Sequence, residues 1–292
     1  MDKQDLAKKA SLLHLSSLRL ATGMKNGNFK SLYHGHGIEF SGVREYLPGD
    51  DVRAIDWNVT ARMSKPFVQM YEEERELDVF LVVDKSLSMN TGAGRQSRLE
   101  TALECASLLT LASFQNSSPI GAVTFDGDIS FSCAPKSGKT QAMMLLSQFN
   151  KMSTNSIPGS ALDSALKGAQ KLLHKSTLLI IISDFRTSSW EDSFARLCQR
   201  NDVLAIRITD SIDERLPSVG SVPFVDPETN YSVVLPTSSN KFAKIWRKDN
   251  EERIETWKNE CLRRGGIPLC INTSSDCASE LIKFFTVREK SK

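Results

Sequence analysis

Leu77-Asp78-Val79-Phe80-Leu81-Val82-Val83-Asp84-Lys85-Ser86-Leu87-Ser88-Met89 is the stretch on which the fold turns. From Leu77 to Val83 it is apolar at consecutive positions apart from Asp78, so an extended segment there has no face to give to water. Strands of that kind belong to parallel sheets covered by helices on both sides. The run then breaks abruptly into Asp84, Lys85, Ser86 and Ser88. In an open parallel sheet the ligand crevice lies just outside the carboxyl ends of the strands, so these polar residues are placed where chemistry is done.

Working outward, the same pattern recurs. A helical stretch over about 98–115 leads to a second buried strand, Ile120 to Phe125, extended through Asp126-Gly127 as a hairpin to 129–131. Helical segments at about 139–149 and 160–174 precede a strand from Thr177 to Ser183. A helix near 190–200 precedes a strand from Val203 to Ile208. Residues 211–238, with Pro217, Pro223, Pro227 and Pro236, read as an inserted loop with a hairpin. A long polar helix over 241–264, a strand over 267–271 and a helix over about 276–286 follow. Alternating strands and helices predict an α/β fold with a doubly wound, mainly parallel sheet over 77–292.

Residues 1–76 differ. Leu6, Ala10, Leu13 and Leu20 recur at helical spacing and predict an amphipathic helix over 2–22. From Gly35 to Arg75, aromatic residues mix with charges and turn signals such as Pro48-Gly49, which predicts short strands and turns. The paired charges of this block fit either a solvated surface or an ion-pair network around Trp57. The second is favoured, with Trp57 as a packing residue, because the aromatic side chains need something to bury them.

Composition narrows the function. The 292 residues include 40% hydrophobic and 25% charged side chains, enough for a sizeable core. Thirty-seven Lys and Arg against 35 Asp and Glu leave a formal net charge of +2, which argues against nucleic-acid binding by charge neutralisation. No apolar run approaches the roughly 18–20 residues needed for a membrane span, and the charged first residues lack the apolar core of a signal peptide. A cytoplasmic location is expected. Cys105, Cys133, Cys198, Cys261, Cys270 and Cys277 show no paired metal-ligand spacing and read as buried, reduced thiols.

Two strand ends offer candidate ligands together: Asp84-x-Ser86-x-Ser88 after the first, and Asp184 after the strand over 177–183. Ser160, at the start of a predicted helix, faces the same crevice. Carboxylates and hydroxyls are hard oxygen donors that suit Mg²⁺ or Mn²⁺ with waters retained. With hydroxyls on the metal and carboxylates acting through water, the ion keeps charge for an outside carboxylate. The alternative is that Ser86 and Ser88 cap a loop and Asp184 caps the next helix. Each residue alone favours capping; together at two strand ends they favour the metal.

Asp84-x-Ser86-x-Ser88, Gly159-Ser160 and Asp184 resemble the metal-ion-dependent adhesion site of von Willebrand factor type A domains, with Ser160 where that family usually has threonine. Upstream, Gly37-Ile38-Glu39-Phe40, Arg44-Glu45-Tyr46-x-Pro48-Gly49-Asp50-Asp51-x-Arg53-x-Ile55-Asp56-Trp57, Thr60-Ala61-Arg62 and Glu73-Glu74-Arg75 resemble the signature of domain of unknown function 58. Ile182-Ser183-Asp184-Phe185, Leu216-Pro217 and Val225-Asp226-Pro227-Glu228-Thr229 fit it too. The resemblance implies a non-enzymatic, metal-dependent adaptor that works with a MoxR-type AAA+ ATPase, or its client, in assembly or maturation of another complex. It would capture an acidic side chain of that partner.

Other motifs carry less. Ser137-Gly138-Lys139-Thr140 lacks the first glycine of a phosphate-binding loop, Cys133 standing in its place, and reads as a helix start. Gly92-Ala93-Gly94 reads as a flexible turn, and His34 and His36 as solvated. A Mg²⁺-dependent phosphohydrolase with Asp84 as nucleophile is the rival, but Ser86 stands where an acid–base aspartate would be needed. A metal-free scaffold assembling through 211–238 is a third reading.

Overall fold

The computed structural model describes residues 37–74, 77–94, 96–151, 161–225 and 231–287. The helix expected over 2–22, the histidines at 34 and 36, and Ser160 with its neighbouring glycine lie outside them. The described residues form two compact units, 37–74 and 77–287.

In the first unit, strand β1 (Gly37–Glu45) pairs antiparallel with β2 (Phe67–Glu74), with an irregularity in register between Phe40 and Gly42. Between them lie a 3₁₀ turn, Val52–Ala54, and a helix that the sequence did not announce, α1 (Trp57–Met63). Asp51 caps the turn through Arg53 N, and Asp56 caps α1 through the N–H groups of Asn58 and Val59. Arg44 holds Asp50 by two bonds of 2.7 Å, so part of the charge pattern is an ordered pair. Trp57 is not at its centre. As the first residue of α1 it is 70% exposed, against the packing role expected from the sequence. The cause is local: Asp56 caps the helix, and Trp57 in its first turn is left in solvent.

The second unit is built on one six-stranded sheet. Its strands are β3 (Val79–Asp84), β4 (Ile120–Phe125), β5 (Ile129–Lys136), β6 (Leu178–Ser183), β7 (Asp202–Thr209) and β10 (Ile267–Asn272). They lie in the order β10-β7-β6-β3-β4-β5, all parallel except the edge strand β5, which returns antiparallel along β4. This is the doubly wound α/β sheet expected. Each position of β3, β4 and β6 is buried, as their unbroken apolar runs require.

Alternate residues of β3 feed two cores. Val79, Leu81 and Val83 pack with α2 (Arg98–Gln115), α3 (Lys139–Phe149) and α8 (Cys277–Val287). Phe80 and Val82 pack on the other side with α4 (Leu162–Leu172), α5 (Glu191–Cys198) and Trp257 and Cys261 of α7 (Asn240–Arg263). Numbering in chain order leaves α6 as the four residues Ser211–Glu214. The 211–238 region supplies α6 and a hairpin of β8 (Ser221–Val225) and β9 (Ser232–Pro236). The Phe224 ring of the hairpin lies 6.4 Å from that of Trp246 on α7.

The thiols depart from expectation at one pair. Cys105 on α2 and Cys277 at the start of α8 form a disulfide, with Cα atoms 6.1 Å apart. Nothing in the spacing of residues so far apart in the chain announces that two helices pack on the same face of the sheet. Cys133, Cys198, Cys261 and Cys270 are free.

Candidate metal centre

β3 and β6 are neighbours, so the ends of the two strands quoted from the sequence stand side by side. The chain leaves β3 toward β4 on one side and returns to β6 on the other, which makes their shared carboxyl end the switch point of the sheet. Asp84 and Asp184 flank it, 1% and 3% exposed.

The local turns explain how both carboxylates are held. Asp84 Oδ1 accepts from Ser86 N at 2.9 Å, and Asp84 Oδ2 accepts from the Ser183 hydroxyl at 2.5 Å. Ser86 Oγ and Ser88 Oγ lie 3.1 Å apart as the chain enters a 3₁₀ turn, Leu87–Asn90. Ser86 occupies the cap position of that turn but makes no side-chain capping bond. Asp184 caps no helix either: Oδ1 accepts from Arg186 N at 3.1 Å, while α5 begins later with Trp190 at its cap position. Phe185 sits at φ 52°, a left-handed conformation sparse for a bulky residue, and its ring is anchored 5.3 Å from Trp190 and 5.2 Å from Trp257. Packing of the ring thus fixes the turn that aims Asp184.

The electrostatics of the pair are unfavourable as they stand. Burial, and then the charge of Asp184, push the Asp84 carboxyl up to about 7, against the hydrogen bonds from Ser183 and Ser86. Asp184 Oδ2 is buried without a hydrogen bond. Arg186 Nε stands 3.8 Å from it, but the guanidinium is committed elsewhere by a 2.5 Å bond from Nη2 to Asp213 Oδ1.

That commitment belongs to a network that the sequence reading missed. Asp213 on α6 also takes a 2.7 Å bond from Arg98, a fully buried arginine at the start of α2. Burial opposes ionisation of Asp213, but the charges of Arg186 and Arg98 outweigh it and hold the carboxyl below its usual range. Arg98 reaches back to the carbonyl and hydroxyl of Thr91, and Asp210 accepts from Ala93 N at 3.2 Å and from the Thr273 hydroxyl at 2.6 Å. The Gly92-Ala93-Gly94 turn is therefore tied down. A Cβ at Gly92 would stand 2.9 Å from Gln96 O, so only glycine fits the turn. Asp184-x-Arg186 was a visible signal; the partnership with Asp213 was not, because it crosses from one strand end to an insertion.

Four of the five residues singled out, Asp84, Ser86, Ser88 and Asp184, thus meet at the switch point, and Ser160 lies outside the described residues. Among the described residues no group of three or more His, Cys, Asp or Glu side chains could hold a metal. Any ion here would rest on two carboxylates with hydroxyls. That oxygen donor set, and a buried carboxylate oxygen lacking a partner, fit a hard divalent cation.

A family model described as "Protein of unknown function DUF58" matches residues 42–255. The chain belongs to the DUF58 family. Uncharacterized protein Rv1480 of Mycobacterium tuberculosis is 28% identical over 297 residues, covering 99% of this chain and 92% of that protein. Uncharacterized protein YeaD of Bacillus subtilis is 33% identical over 54 residues, 18% of this chain and 14% of that one. Among solved structures, BatB from Bacteroides thetaiotaomicron aligns with a TM-score of 0.45 at 18% identity, over 74% of this DUF58 chain and 100% of that one. The SpRpn10 VWA domain aligns with a TM-score of 0.39 at 9% identity, over 72% and 95%. The sheet of this DUF58 protein, five parallel strands with one antiparallel edge strand, is of the doubly wound α/β class. Among the described residues no helix is long and apolar enough to cross a membrane.

Proposed function

We propose that this DUF58 protein is a non-enzymatic interaction module that binds partners through a divalent cation, Mg²⁺ or Mn²⁺. Asp84, Ser86, Ser88 and Asp184, with Ser160, would hold the ion. The observation that carries the reading is the pair of buried carboxylates, one of which has an oxygen with no hydrogen bond. A divalent ion adds positive charge between the two carboxylates, beyond what Arg186 and Arg207 bring to Asp184, and leaves coordination positions for an outside oxygen. Asp84 and Asp184 would neutralise it only in part, so an acidic side chain of the partner is the natural further ligand. Kinship suggests the partner class, a MoxR-type AAA+ ATPase or its client. No second carboxylate stands two residues after Asp84 to serve as acid or base, which disfavours a phosphohydrolase.

Mg²⁺ bound to the native state alone should raise the melting temperature progressively with concentration, and calorimetry should register the same binding. Asp84→Ala should abolish both. An equal Mg²⁺ shift in wild type and Asp84→Ala would remove the ion from this site.

A further inference from the structure

Lys85, between two of the candidate ligands, points to a second site. Its backbone N–H donates to Phe125 O at 2.7 Å, and its side chain runs to the end of α3, where Nζ donates to Lys151 O at 2.5 Å and more distantly to Phe149 O at 3.5 Å. The residue is 5% exposed, and none of the ion pairs of the described residues includes it. Burial pushes the ammonium below its usual range, and the charge of Asp126 works the other way. A buried ammonium answered by carbonyls alone keeps a donor and a charge to offer.

That ammonium lines a cavity of about 240 Å³ between the start of α2, the end of α3 and the Leu87–Asn90 turn. Half-buried Leu99 and Leu103 and buried Phe149 give it an apolar wall. Exposed Asn90, Asn150 and Lys151 stand at its mouth, so the described lining residues include two lysines and two asparagines and no acid. A dry apolar cavity of about 150 Å³ accommodates a benzene ring, so this one has room for a ring and a short polar arm. The charge fixes the sign of the arm, and the wall fixes the nature of the rest.

We propose that this cavity is a binding site for a carboxylate carried on an apolar group of about the size of a phenyl ring, with Lys85 and Lys151 as the anion-recognising groups. It is separate from the cation site and does not depend on it, although Lys85 joins the two through the chain. The carboxylate can come from a free aromatic or branched acid, or from the C-terminal residue of a polypeptide.

The test uses the full chain in EDTA, so that failure of the metal reading leaves it intact. 3-Phenylpropionate should give a saturable rise in melting temperature and a calorimetric isotherm at constant ionic strength, and 3-phenylpropionamide should not. Lys151→Gln should weaken binding about tenfold, as expected for losing a charge-assisted hydrogen bond. Leu103→Trp should abolish it by filling the cavity with the charges untouched. Lys85→Met should abolish it too, and Lys151→Gln keeps the charge test available if that variant folds poorly. N-acetyl-phenylalanine binding as well as the free acid would support a chain terminus as the source, and binding of the free acid alone a small metabolite. No saturable shift, equal shifts from acid and amide, or undiminished binding in Leu103→Trp would overturn the site.

Discussion

At the scale of single residues the decisive quantity is the charge state of Asp84. Its carboxyl is raised to about 7 first by burial and then by Asp184, so in the metal-free protein the folded state holds a proton that the unfolded chain has released above its ordinary value. Between those two values the native state binds more protons than the unfolded one, and stability must fall as pH rises. Asp84→Asn removes this dependence, because an amide keeps the acceptor for Ser86 N and carries no charge. In EDTA, urea unfolding at pH 5 and pH 8 should show wild type losing stability relative to Asp84→Asn as pH rises, with the variant no less stable at pH 8. A variant less stable than wild type by more than about 1 kcal/mol at pH 8 would mean that the ionised carboxylate is needed for the fold itself. With saturating Mg²⁺ the order should reverse, since only the wild type gains the ion.

At the scale of elements, two tryptophans separate what could be read from the sequence from what could not. The indole of Trp257 is 5% exposed on α7, in contact with Phe185 and with the Arg207 guanidinium 5.5 Å above its ring. Trp257→Ala should therefore cost about 3–5 kcal/mol in urea unfolding and loosen the turn that carries Asp184. Trp57→Ala, at an exposed helix start, should change stability by no more than about 0.5 kcal/mol, and a loss of several kcal/mol would show that the ring is covered. The buried strands β3, β4 and β6 were legible because a strand covered on both faces has to be apolar at every position. Asp84, Ser86, Ser88 and Asp184 were legible for the same reason, since polar residues that end such a run fall at the carboxyl edge. Trp57 misled because aromatic content says that burial is wanted, while the first turn of the helix capped by Asp56 leaves the residue in solvent. Arg98, Arg186 and Asp213, and the Cys105–Cys277 bond, were not legible, since each joins residues far apart in the chain through packing that no local pattern encodes.

For the molecule as a whole, the described candidate ligands all belong to the 77–287 unit, while much of the DUF58 signature lies within 37–74. A metal-dependent adaptor therefore has two surfaces that can be separated by experiment. If partner capture runs through the cation site, an acidic side chain gains both a metal bond and the attraction of an incompletely neutralised ion, and the complex must fail when either is removed. In pull-downs with a MoxR-type ATPase or its client, excess EDTA should release the partner while circular dichroism shows each component still folded. Asp184→Ala should mimic EDTA, and substitution of one Asp or Glu on the partner should do the same. Loss of binding on Arg44→Ala or Trp57→Ala, with Mg²⁺ affinity unchanged, would instead assign capture to the 37–74 unit. A complex that survives both EDTA and the Asp84→Ala, Asp184→Ala double substitution would separate partner binding from the metal altogether.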